Sequence, residues 1–250
     1  MGQGPLRGLR VVEMAGIGPA PFAVTLLSDL GAEVLRIDRP GAAPAPGDVT
    51  ARGRASLALN LKSEADLATA RAAVAVADVL IEGFRPGVME RLGLGPEPML
   101  AANPRLIYGR MSGWGQDGPL APRAGHDLTY IAVTGALNAI GPKGGPPVPP
   151  LNLIGDYGGG ALYLVMGILA ALHERQTSGR GQVIDAAVVD GVVSMMGLFS
   201  WLAGDGVTSM VTGEGMLAGA LPTYRTYECA DGRHVAVGAL TRHRDVEVSS

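Results

Sequence analysis

Short β-branched runs alternate with longer helical stretches along most of this chain. Residues 9–14, 33–38, 78–82, 106–110 and 182–187 carry the compact apolar pattern of buried strands. Between the first two, residues 21–30 have helical spacing and stop at Gly31. Ser63, with Asp66 placed as in a capping box, opens an alanine-rich helix that runs to Ala77. This alternation predicts an α/β fold with a mostly parallel sheet, because parallel strands need helical crossovers. In such sheets ligands collect beyond the carboxyl ends of the strands. The loops after Met14, Asp38, Glu82 and Arg110 are therefore the first places to seek a site.

The pattern changes at Gly204, where Gly, Thr, Ser and Met replace the apolar runs. The expected organisation is a large domain over 1–203, a linker over 204–222 and the start of a small domain over 223–250. Residues 223–239 alternate as strands do, whereas the text from 241 is polar and aperiodic.

Composition excludes several classes. A net charge of −3 offers no basic field for nucleic acid, so an anionic ligand would be held by a few local Arg and Lys side chains. A single cysteine, Cys229, precludes a disulfide framework and reads as a small buried hydrophobe. Together with an N-terminus lacking a long apolar leader, it suggests a cytoplasmic protein. The apolar runs 161–172 and 188–203 are each shorter than a membrane span, and buried helices are expected there. His173, His234 and His243 have no metal-like spacing, and no metal is expected.

Gly16, Gly18 and Asp38 imitate a dinucleotide fingerprint, in which the acid binds a ribose. That would suggest an NAD-dependent oxidoreductase. Pro21 stands where the third glycine belongs, and Pro19 and Pro21 remove N–H groups a pyrophosphate would need. A tight strand-to-helix turn is the preferred reading.

An ordered set of motifs gives a sharper expectation. Arg36-Ile37-Asp38-Arg39-Pro40, Leu59-Asn60-Leu61-Lys62, Ile81-Glu82-Gly83-Phe84-Arg85-Pro86-Gly87, Gly113-Trp114-Gly115-Gln116, Gly125-His126-Asp127 and Asn152-Leu153-Ile154-Gly155-Asp156-Tyr157-Gly158-Gly159-Gly160 occur in that order. Together they resemble the α-methylacyl-CoA racemases of the family III CoA-transferase superfamily. The resemblance implies a Rossmann-like large domain plus a small domain, and inversion of the carbon next to a CoA thioester carbonyl, in an interlocked homodimer with its site between the chains. It implies that His126 and Asp156 are the acid–base pair. Arg39, Lys62, Arg85 and Arg91 would meet the CoA phosphates, with Arg39 and Arg85 favoured because they follow strand ends. Leu59, Asn60, Gly83 and Phe84 would line the adenosine or pantetheine path. Gly125, Asp127 and Tyr130 would complete the substrate site, with Asp127 orienting it. Coenzyme A would be part of the substrate and no separate cofactor is implied.

The local settings of the pair are independent of the resemblance. His126 precedes a helical run, 127–137, and Asp156 precedes another, 157–172. A helix N-terminus favours neutral imidazole and ionised carboxylate. Protonated Asp156 would require desolvation to outweigh that field. The three glycines after it would allow close approach by a substrate.

The alternatives are a CoA-transferase with Asp156 as nucleophile, in which His126 has no role, and an inactive fragment. The resemblance lapses after Leu240, where a Glu-Pro-like pair is implied and Thr241 stands instead. A chain of this extent is expected to be weakly active and poorly soluble alone.

Overall fold

The computed structural model describes residues 3–42, 45 and 47–240. Thr241, His243 and the rest of the aperiodic tail lie outside the described residues. The large unit contains β1 (Arg10–Met14), α1 (Pro19–Asp29), β2 (Glu33–Asp38), β3 (Arg54–Ala58), α2 (Glu64–Ala75) and β4 (Val79–Glu82). It continues through α3 (Val88–Arg91), α4 (Pro96–Ala102), β5 (Ile107–Ser112), α5 (Asp127–Val133), α6 (Leu162–Ser178), β6 (Val183–Ala187) and α7 (Val188–Gly204). A π-helical segment, Leu153–Ala161, runs directly into α6. A separate antiparallel hairpin, β7 (Tyr224–Glu228) and β8 (His234–Gly238), follows.

The six strands of the main sheet are all parallel, in the order β3-β2-β1-β4-β5-β6. The direction of winding reverses between β1 and β4, which opens a crevice at their carboxyl ends. Successive strand residues enter opposite cores. Val11, Ile81 and Ile107 pack with Val24, Leu27, Leu164 and Ile168 on one face. Val12, Leu80 and Tyr108 pack with Ile37, Met89 and Leu94 on the other. Burial on both faces explains why these strands read as unbroken apolar runs.

Several local expectations need correction. No strand was expected at 54–58, yet β3 pairs with β2 there at the sheet edge. Arg-Ala-Ser-Leu-Ala lacks the β-branched signature, and backbone pairing with one neighbour supplies the order instead. Ser63 makes no side-chain cap, and Asp66 Oδ2 instead accepts the Asn60 N–H at 2.8 Å. Cys229 is half-buried rather than buried.

The run at 161–172 is part of a continuous helical stretch of 26 residues, Leu153–Ser178, long and apolar enough by length and composition to cross a membrane. The helix is therefore longer than the apolar run alone implied. One face of it is committed to the sheet: Leu164 and Ile168 meet the Gly109 backbone, and Ile184 fills the space beside Gly167.

Candidate active site

The reversal point of the sheet carries a cavity of about 480 Å³. Its floor is made by the turns after β1 (Ile17, Gly18, Pro19), β4 (Gly83, Phe84, Arg85, Pro86) and β5 (Met111 to Trp114). The opposite wall is the approach to α5, where Arg123, Gly125, His126 and Tyr130 line the cavity together with Asp156. His126 and Asp156 thus come together from positions far apart in sequence.

The helix start at α5 is fixed by backbone chemistry. The His126 N–H donates to Thr129 Oγ1 at 3.0 Å, and the Thr129 hydroxyl donates back to the His126 carbonyl at 2.7 Å. This leaves the His126 side chain exposed at the cavity wall. Tyr130 lies edge-on to Trp114, with centroids 4.7 Å apart. Any side chain at Gly113 or Gly125 would collide with the Tyr130 ring, so the glycine before His126 serves aromatic packing.

Asp156 does not precede a helix, as expected from sequence, but lies inside the first turn of the π-helical segment capped by Asn152. Its N–H donates to Asp127 Oδ2 at 2.7 Å. Desolvation pushes its carboxyl above the usual range, and the Asp127 charge adds to this. The Asn152 side chain and the His126 imidazole pull the other way. Desolvation is the largest of these influences, and the net direction is upward. Tyr130 is also raised, by burial and then by the Asp156 charge.

The triple glycine has a different role from the expected one. Gly159 faces Val188 and Val192 of α7, and Gly160 faces Pro19, Val188 and Met111. Gly191 of α7 meets the Gly159 backbone so closely that neither tolerates a side chain. These glycines bring two helices into contact rather than opening onto a substrate. Tyr157 stacks on Phe22 of α1 at 3.9 Å and pins the other side of the segment.

Of the expected ligand contacts, Gly83, Phe84, Arg85, Gly125 and Tyr130 line this cavity. Arg39, Asn60, Lys62 and Arg91 are exposed outside it. Leu59 is buried in the core with Ile37 and Leu80, and Asp127 is buried behind the wall. Arg123 was missed, although it belongs to the same loop as Gly125 and His126. Asp38, the would-be ribose ligand, is buried and engaged by Arg36 Nε at 2.9 Å and the Ser56 hydroxyl at 2.6 Å. Those internal partners remove the basis for the NAD reading. Among the described residues there is no cluster of three or more His, Cys, Asp or Glu side chains suited to a metal.

The parallel sheet, with a cavity at its reversal point lined by His126 and Asp156, defines a Rossmann-like α/β protein. Residues 6–246 match the family described as CoA-transferase family III. The chain belongs to that family. It is 49% identical over 236 residues to an alpha-methylacyl-CoA racemase of Mus musculus and 45% identical over 238 residues to that of Homo sapiens. Each alignment covers 94% of this chain and 61% of the relative, so the chain spans about six-tenths of their length. A solved CAIB/BAIF family protein from Brucella suis superposes with a TM-score of 0.81 at 30% identity, covering 94% of this chain and 66% of that one.

Proposed function

We propose that this chain carries the site of a racemase acting on 2-methylacyl-CoA thioesters at the α-carbon. One observation carries the reading: His126 and Asp156 line the same cavity. A base on one face removes the α-proton, and an acid on the other returns a proton to the resulting enolate. With Asp156 protonated, His126 is the base and Asp156 the donor. In the reverse direction the roles exchange. Arg85 and Arg123 are the cavity's cations and fit the anionic CoA portion. No separate cofactor enters this scheme.

The family description favours a second reading, acyl transfer through Asp156 as nucleophile. That reading gives His126 no role, and the presence of His126 beside Asp156 in the same cavity favours the racemase reading instead.

The test is incubation with each enantiomer of a 2-methylacyl-CoA in deuterated water. Exchange of the α-proton is expected, and His126→Ala should reduce it from one enantiomer more than from the other. Equal loss from both would overturn the two-base scheme. Transfer of CoA to a free carboxylic acid without exchange would select the transferase, and neither reaction would mark an inactive fragment.

We also propose a homodimer. The supporting feature is the apolar stripe of Leu162, Met166 and Leu169 on α6, with Val193, Leu198 and Trp201 on α7, all exposed.

A further inference from the structure

Asp127 follows His126 directly, yet it points away from the cavity and is only 8% exposed. Its Oδ2 accepts the Asp156 N–H at 2.7 Å. Its Oδ1 is buried and has no hydrogen-bond partner among the described residues. The contact is shaped from the other side as well. A side chain at Gly155 would collide with the Asp127 carboxylate, so the π-helical turn can close on Asp127 only because glycine precedes Asp156. A buried carboxylate with a spare oxygen is costly unless its charge and its one bond serve the fold or the site.

We infer that Asp127 is the positioning residue for Asp156, fixing the turn that carries it through the backbone and acting on its carboxyl through charge. This rests on the proposed two-base reading and deepens it. Beside burial, the charge raises the proton affinity of Asp156, the direction that suits the acid when His126 is the base. The groups facing Asp156 are Asp127 and Tyr130 from α5, His126 just before it, Asn152 just before its own segment and Gly18 just before α1, with Arg85 and Arg123 lining the same cavity. Asp127 is the group among them whose charge raises Asp156, while His126 and Asn152 lower it. One peptide bond therefore separates the base from the residue that readies its partner acid.

Two substitutions separate the backbone role from the charge. Asp127→Asn keeps an oxygen for the Asp156 N–H and removes the charge, whereas Asp127→Ala removes both. The first readout does not depend on activity: a carbon-13 NMR titration of the Asp156 carboxyl, assigned by its disappearance in Asp156→Asn. The titration midpoint is expected to move to lower pH in Asp127→Asn, and an unchanged midpoint would overturn the electrostatic role. The second readout is α-proton exchange across pH. Asp127→Ala is expected to lose on the order of 100-fold in exchange rate, as misplacement of a reacting group does. Asp127→Asn should lose less and show a displaced acidic limb. Equal exchange losses in the two variants would overturn the backbone role. If Asp127→Ala does not fold, the Asp127→Asn titration still decides the charge role. If the unaltered chain exchanges no proton, the racemase reading fails while the titration still tests Asp127.

Discussion

Glu13 is wholly buried in the middle of β1, facing Arg54 Nε at 3.2 Å. Arg54 also donates to the Pro21 carbonyl and to Thr25 Oγ1, tying the sheet edge to α1. Burial pushes the Glu13 carboxyl up from 4.5 to about 7 despite Arg54. A raised pKa means that the folded state holds the proton more tightly than the unfolded chain does. Its stabilising contribution is complete below the unfolded value of 4.5 and is lost as pH rises through about 7. Unfolding free energy measured by urea titration should therefore fall across that window, by on the order of 3 kcal/mol from this group. Glu13→Gln should flatten the slope, and a slope that survives the substitution would assign the effect elsewhere. Nothing in the sequence marked Glu13, because a lone glutamate in a strand ordinarily faces water. His126 and Asp156 were legible only through the ordered motifs. Taken alone, Asp156 reads as a helix cap and His126 as a core residue. Arg123 was not read, because its place in the wall depends on how the loop before α5 folds back over the sheet.

The elements that position the site were unevenly visible. The alternation of short and long apolar runs revealed β1, β2, β4, β5 and β6, and burial on both faces makes β1, β4 and β5 continuous. The edge strand β3 was not seen, because its order comes from pairing rather than composition. The π-helical segment was also hidden: its hydrogen-bonding pattern has no sequence period distinct from that of an α-helix over so few residues. Its glycines were read as room for substrate, and they are room for α7. Gly159→Ala would place a methyl group 2.6 Å from Val192 Cγ2 and 2.9 Å from the Val188 carbonyl. The expected cost is about 1–3 kcal/mol of overpacking, seen as a lower urea midpoint. The same substitution should reduce α-proton exchange, because the shifted segment carries Asp156. An unchanged midpoint would mean that the crossing is looser than its glycines imply.

At the scale of the whole molecule, the exposed apolar stripe on α6 and α7 bears on association. Trp201 is 61% exposed and Leu198 57%, a large apolar area to leave in water. Sedimentation velocity is expected to find the chain as a dimer or larger species. Leu198→Asp combined with Trp201→Glu should shift it to monomer with its circular dichroism retained, and a monomeric unaltered chain would overturn the dimer. The division into large domain, linker and small domain is an expectation from a change in composition; in the structure, β7 and β8 pair with each other in a two-stranded sheet.

The connection from β5 to β6, residues 113–182, contains His126, Asp127 and Asp156 together. The turns after β1 and β4, with Arg85 among them, come from other parts of the chain. On the proposed reading, proton transfer is encoded within that one connection, whereas recognition is shared between it, through Arg123, and the turns after β1 and β4. Alterations around Gly83 to Pro86 would change which thioester is admitted and leave both acid–base groups in place. A loss of proton transfer from one enantiomer alone would have to arise within the β5–β6 connection itself.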